Sequence, residues 1–298
     1  MEKQQEYQLM KVRGYRKVIA DGFHLYTANF RRVFKASWLM VLIYALCCGA
    51  AGTLAAVKLL ELTMAATLIC FVVQLLAMAT ILAKQKEHKE TDSITIPSRW
   101  LAVSPRLMGR TLKGELSTLL CILLPVILLG AIFFGLEQLS PQTIGNHIKT
   151  FVVFALVLLL VIVLLCLPLY HVLMKYLMEA PCNYWKTLQA NYGKGLRHWG
   201  LLFLVLLIST LHICIAEIII TLPAFILSMA NQSAQEGLLM GDPLGMPSYM
   251  NVLTFVTSTL CSFMGFYVSL PLLFHIYYIY GSIEAQEQER EKQKQDIQ

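Results

Sequence analysis

Charge is what this sequence has least of: 14% of its residues are Asp, Glu, Lys or Arg, where a soluble globular domain carries about 25%. That shortage argues against a soluble domain. The net charge of +6 would suggest nucleic-acid binding in a soluble chain. Here the basic residues flank apolar runs, so the partner they predict is an anionic lipid surface and no nucleic acid. Several chemical signatures are missing too. The eight cysteines form no CxxC pair, and seven of them lie in apolar segments. They read as small apolar core residues, which sets aside a disulfide or metal framework. The seven histidines are dispersed, with no HExxH, so no zinc or iron site is expected. There is no GxSxG elbow and no glycine-rich phosphate loop ending in Lys-Ser or Lys-Thr. No apolar run carries the paired acids that an intramembrane metalloprotease or a magnesium-dependent lipid phosphotransferase needs. The expectation is no catalytic residue, no metal and no cofactor, and more a non-enzyme than an enzyme.

What the chain has in abundance is apolar length. Apolar residues make up 57% of it and its mean hydropathy is +0.62. Six runs, at residues 38–57, 62–83, 116–136, 150–170, 199–229 and 252–278, meet the roughly 20 residues needed to cross a bilayer as helix. The fold class expected is therefore all-α, a polytopic membrane helical bundle of six transmembrane helices with amphipathic interfacial helices. Residues 1–298 form one integral membrane domain in this reading. It comprises a lead-in at 1–37, a first hairpin at 38–83, a second unit at 97–180, a third at 182–280 and a charged tail at 281–298. Nothing apolar in the tail offers a core, and it reads as an exposed helix or a disordered segment. The first apolar run would serve as an uncleaved anchor.

Each hairpin follows a basic amphipathic segment. Tyr15, Val18, Ile19, Phe23, Tyr26 and Phe30 recur at helical spacing among basic residues, with a possible break near Gly22. Trp185, Leu188, Tyr192 and Leu196 do the same before Trp199. Such helices lie at the membrane interface. Arg13, Arg16, Arg31, Arg32, Arg106, Arg110, Lys194 and Arg197 are the expected headgroup contacts, with Trp38, Trp100, Trp185 and Trp199 as anchors. Of the 24 Lys and Arg residues, 22 fall in the N-terminal region, the second and fourth connections and the tail. By the positive-inside rule these segments, and both termini, are cytoplasmic. The connections at 84–93 and 231–250 read as exposed, one charged and one rich in Gly and Pro.

Within the apolar runs a few residues stand out. Pro125, Pro168, Pro223 and Pro271 each interrupt a helix hydrogen bond; a static packing kink is the preferred reading over a hinge. LPLYH at 167–171 resembles LPLLFH at 270–275, and both lead to an EA dipeptide, which suggests related second and third units. His171 and His275 are expected at headgroup phosphates or backbone carbonyls. Glu217 is the one acidic residue well inside a span, an expensive placement unless it is protonated, hydrogen-bonded or in contact with water. Thr221 lies one turn on and His212 five residues back; Gln74 and His275 are possible partners from other helices. Gly49, Ala50, Ala51 and Gly52 could seat a helix of a second copy or of a protein partner, or the packing of the first hairpin.

The basic segments NFRRVF and NYGKGL ahead of apolar runs, with recurring prolines, resemble the six-span inner-membrane proteins of Bacteroidetes-type bacteria. More loosely, they are similar to the membrane domain found ahead of some bacterial glycerophosphodiester phosphodiesterases. The resemblance covers residues 20–285 and implies a bacterial inner-membrane location, no established activity and no catalytic residue. A carotenoid-cleaving oxygenase, a label some of that set carry, needs a four-histidine iron site on a propeller of strands, which seven dispersed histidines in a helical chain do not supply. The function expected is that of a non-enzymatic structural or accessory membrane protein. The alternative is a transporter or permease-like protein for a lipid or small solute, with Glu217 as the coupling group.

Overall fold

Every apolar run folds as helix, and several helices run past the ends that hydropathy marks. The computed structural model of the chain describes residues 9–95, 105–139, 141–179, 183–241, 247 and 249–296, with side chains for all of these but 129, 132–139 and 141–152. The helices are α1 (Tyr15–Ala56), α2 (Leu60–Thr91), α3 (Pro105–Leu139), α4 (Pro141–Cys166), α5 (Pro168–Glu179), α6 (Tyr184–Arg197), α7 (Trp199–Leu239) and α8 (Met250–Gln295). Among the described residues there is no strand. Among the described residues six stretches are long and apolar enough to cross a membrane, so the fold is an all-α, multi-pass membrane bundle. Large apolar side chains lie bare on its outside, Leu68, Ile127 and Ile219 each about two-thirds exposed, as lipid-facing residues must be.

Four segments depart from the sequence reading. The lead-in and the first span are one helix, α1, with Gly22 inside it; the glycine is there because its Cα faces the His275 ring, leaving no room for a side chain. The charged stretch after residue 83 continues α2 to Thr91 and buries Gln85 and His88. The helix stops where Asp92 turns left-handed and its N–H returns to the His88 carbonyl. The polar segment from Asn231 continues α7 to Leu239. The charged tail is neither exposed throughout nor disordered: it is the end of α8, and Gly281 to Ala285 and Glu287 are buried. Trp100, Cys182 and residues 242–246 lie outside the described residues.

Contacts divide the chain into two compact units. The first gathers Ile19–Met108 and Leu207–His275. Here α1 and α8 approach closely because small residues face each other: a methyl on Gly49 would come within 2.9 Å of the Phe255 carbonyl, and one on Gly52 within 3.1 Å of Ser258 Oγ. Gly49 and Gly52 thus seat α8 of the same chain. Aromatic rings fill the rest of that interface, with Phe34 5.2 Å from Tyr267 and Tyr44 5.7 Å from Phe266. Asn231 and Gln235 of α7 both donate to the Ala56 carbonyl at the end of α1, at 3.1 and 3.0 Å.

The second unit gathers Gln8–Val18, Gly109–Leu206 and Ile276–Gln298. Gly114 of α3 packs against Leu173 and Tyr176 of α5, and Thr118 hydrogen-bonds Tyr184 at 2.7 Å. Helix α6 starts on Asn183, whose side chain accepts from the Trp185 N–H, and carries Lys194 and Arg197 in its last turn, where the helix dipole favours cations. Leu9 and Arg13 lie on α8: Ser282 accepts from the Arg13 N–H at 3.0 Å and donates to its carbonyl at 3.1 Å.

The prolines follow a common rule. A proline at i cannot serve the carbonyl at i−4, and in lipid an unserved carbonyl is costly. For Pro168 that carbonyl is Leu164, which accepts from the Trp199 indole at 3.1 Å; the next, Leu165, accepts from the Tyr192 hydroxyl at 2.8 Å. For Pro271 it is Tyr267, which accepts from the Tyr26 hydroxyl at 2.8 Å. Beside Pro223, the Cys261 thiol donates to the Ile220 carbonyl at 3.1 Å. The carbonyls released by Pro168 and Pro271 are thus each taken by a side chain from another helix, which fits kinks built into the packing.

Candidate functional site

Glu217 opens a stripe on α7. Glu217, Thr221, Ala224, Ser228, Asn231 and Gln235 follow one another at steps of four and three, so they share one face of the helix. Thr254, Ser258, Ser262, Gly265 and Ser269 make a matching stripe on α8. Both stripes are small or polar in otherwise apolar helices, and in the first unit they line two cavities. The inner one, about 310 Å³, is bounded by Tyr44 of α1, Gln74 of α2, Glu217, Thr221 and Ala224 of α7, and Ser258, Ser262, Gly265 and Phe266 of α8, among others. The outer one, about 550 Å³, lies among Gly52, Lys58, Asn231, Gln235, Glu236 and Thr254. Ala224 and Ser258 line both.

The Glu217 carboxyl occupies space that only glycine leaves on α8. A methyl group on Gly265 would stand 2.8 and 3.1 Å from its two oxygens. Thr221 does not bond that carboxyl; its hydroxyl donates to the Glu217 backbone carbonyl at 2.7 Å. Ser269 likewise donates to the Phe266 carbonyl at 2.9 Å. These hydroxyls spend their hydrogens on the main chain and keep oxygen lone pairs as acceptors. His212 is exposed, with Nδ1 2.7 Å from the Ile208 carbonyl, and is not part of the cavity wall. Of the partners expected from other helices, Gln74 shares the cavity with Glu217, whereas His275 is buried against Gly22. Tyr44, Ser258, Ser262 and Gly265 escaped the sequence reading. The signal that would have found the three on α8 is the recurrence of small and polar residues every three or four positions along that helix; Tyr44, on α1, carries no such signal.

The basic residues divide by environment. Arg16, Arg31, Arg32 and Arg106 are exposed. Arg13 is 2% exposed, which withdraws it from any headgroup: its guanidinium donates to the Leu9 carbonyl at 2.9 Å and lies over the Tyr278 ring. Arg110 lies over Tyr176. Arg197 forms both its bonds to Glu287 at 2.8 and 2.9 Å, and Lys194 lies 3.7 Å from Glu291. These last three are engaged with the protein, Arg197 while half exposed.

A second set of charges meets in the second unit, past the apolar stretch of α8 that ends near residue 280. Glu284 binds His171 Nε2 at 3.1 Å and Lys175 Nζ at 2.6 Å. Burial opposes its ionisation, but those two bonds outweigh burial and hold its carboxyl down to about 2. Tyr280 donates to Glu179 at 2.7 Å. Glu287 takes His198 as well as Arg197, and despite its burial these bonds hold it below the usual carboxylate range. His171 is thus fully buried on a carboxylate and makes no headgroup contact. The resembling segments LPLYH and LPLLFH both lead into this network, where His171 reaches Glu284 and Tyr280 reaches Glu179.

A third cavity, about 510 Å³ and apolar, lies in the second unit among Cys121, Pro125, Cys166, Leu188 and Tyr192. Among the described residues no three His, Cys, Asp or Glu side chains are grouped as for a metal ion. Comparison of the chain with protein-family models, with curated proteins and with solved structures gave no match.

Proposed function

We propose that this protein is a transporter or permease-like carrier of a small solute, with the inner cavity around Glu217 as its binding site. One observation carries the reading: the Glu217 carboxyl of α7 shares a cavity of about 310 Å³ with Gln74 of α2 and with Ser258 and Ser262 of α8. A carboxylate at that depth is expensive to retain, and a purely structural role would favour a closed apolar interface there. A cavity lined by hydroxyls, an amide and one carboxyl supports solute binding over the accessory role expected from sequence. The exposed Arg16, Arg31, Arg32 and Arg106 support a further part of the proposal: the basic segments rest on anionic headgroups at the cytoplasmic side of a bacterial inner membrane.

Native mass spectrometry of the protein in lipid nanodiscs tests this. A solute that co-purifies with wild type should be absent from Glu217→Gln and retained when Arg31 and Arg32 are both changed to Gln. The transport reading fails if occupancy is the same in wild type and Glu217→Gln, or if only lipid is bound and only the arginine pair controls it.

A further inference from the structure

We propose that the Glu217 cavity takes a small organic ammonium ion, admitted through the outer chamber at the Lys58 end of the first unit. The proposal rests on the transporter reading and adds a ligand class and a route. Charge is the first argument. Among the described residues Glu217 is the one ionic side chain lining the inner cavity, while the outer chamber carries Lys58 and Glu236, which offset each other. The pathway as a whole is therefore negative at its inner end. Among the described residues no Lys, Arg or His lines that end, so an anion would find no counter-charge there.

Hydrogen-bond polarity points the same way. Thr221 and Ser269 give their hydroxyl hydrogens to backbone carbonyls, and the Cys261 thiol does so as well. What they turn to a ligand is acceptor capacity, to which the two carboxylate oxygens of Glu217 add. An ammonium group has N–H donors and no acceptor. At the inner end stand the rings of Tyr44 and Phe266, 5.7 Å apart, a surface of the kind that binds organic cations.

Volume separates an organic ion from a bare one. The inner cavity holds about 310 Å³, against roughly 30 Å³ for one water of liquid. An alkali ion would leave most of it unfilled; an alkylammonium of a few carbons would not. The route follows from the two residues common to both cavities, Ala224 and Ser258. In the other direction the α1–α8 interface is filled by Phe34, Phe263 and Tyr267, and the Ser37 and Tyr267 hydroxyls bond at 3.2 Å.

The test uses the full chain in nanodiscs with four probes at matched ionic strength: n-butylammonium chloride, sodium chloride, sodium butyrate and neutral butyramide. Thermal unfolding, calorimetric titration and stopped-flow association rates are read for each. We expect saturable stabilisation by n-butylammonium alone, with affinity falling at least tenfold in Glu217→Gln. Gly265→Val keeps the charge but fills the space beside the carboxyl and should also lose at least tenfold, so the result does not hang on one variant. Ser228→Trp, confined to the outer chamber, should slow association about tenfold and leave equilibrium affinity within twofold. Saturable binding of butyrate, butyramide or sodium that Gly265→Val abolishes, with n-butylammonium silent, overturns the ligand class and leaves the transporter reading intact. Binding of n-butylammonium with unchanged association in Ser228→Trp overturns the route. If no probe binds wild type and no solute co-purifies, both the proposal and the transporter reading fall.

Discussion

Glu217 and Glu284 lie on the same kind of helix, in the first and the second unit, and the protein treats them in opposite ways. Glu284 is enclosed, its side chain 8% exposed, with His171 and Lys175 both bonded to it. Glu217 has a glycine's worth of space, neutral neighbours and a cavity. A buried carboxylate whose hydrogen bonds and counter-charge are all supplied by the chain has nothing left to offer a ligand; its role is to hold helices together. One whose neighbours are hydroxyls and an amide keeps its charge available. The difference separates a region that sets the architecture from one that can change its occupant.

The largest test of that contrast is Glu284→Gln. Removing one partner of a buried pair strands the other charge, a loss of about 3–5 kcal/mol. The lower end is expected, because Lys175 retains Glu179 at 3.5 Å. Denaturant unfolding in mixed micelles measures it, and a change below about 1 kcal/mol would remove the distinction between the two glutamates. Acid titration gives the next effect. The Glu284 carboxyl is held at about 2 in the folded protein against an ordinary 4.5, so its stabilisation is fully present above pH 4.5 and is lost as the pH falls toward 2. At about 1.4 kcal/mol per pH unit, a loss of about 3 kcal/mol is expected over that window. Thermal unfolding against pH should show the fall in wild type and a flatter profile in Glu284→Gln.

The smallest effect is expected at Glu217→Gln. No ion pair is broken there among the described residues, and the amide has the carboxyl's shape, so unfolding free energy without ligand should move by about 1 kcal/mol or less. A loss as large as that of Glu284→Gln would mean that Glu217 is also an architectural residue, and the comparison would break from the other side.

Part of the candidate site could be read before any fold was known. Glu217 drew notice as a lone acid in an apolar run, and Gln74 was a possible partner; both line the same cavity. His212 and Thr221 are candidates by nearness along one helix alone. Nearness in sequence places Thr221 beside Glu217, but its hydroxyl is taken by the main chain, and His212 falls outside the wall. Gly265 was invisible because its importance is the space it leaves for a residue 48 positions away in the chain.

By itself the sequence determined the class, the six apolar runs, the placement of basic segments at their ends and the positions of the prolines. These depend on local quantities, namely the length of helix that spans a bilayer, the period of a helix and the missing N–H of proline, and no second segment is needed to evaluate them. Tertiary structure alone decided which charges are paired, where the charged end of α8 lies and what becomes of the carbonyls that proline releases. Glu284 meets His171 113 residues away, Arg13 meets Ser282 across 269, and Tyr26 reaches the Tyr267 carbonyl across 241. The charged run 281–298 reads as solvent-exposed because its few apolar residues, Ile283, Ala285 and Ile297, are too sparse to offer a core. It is buried as far as Glu287 because other segments supply its counter-charges, and the cost of burying a charge depends on the partner it finds.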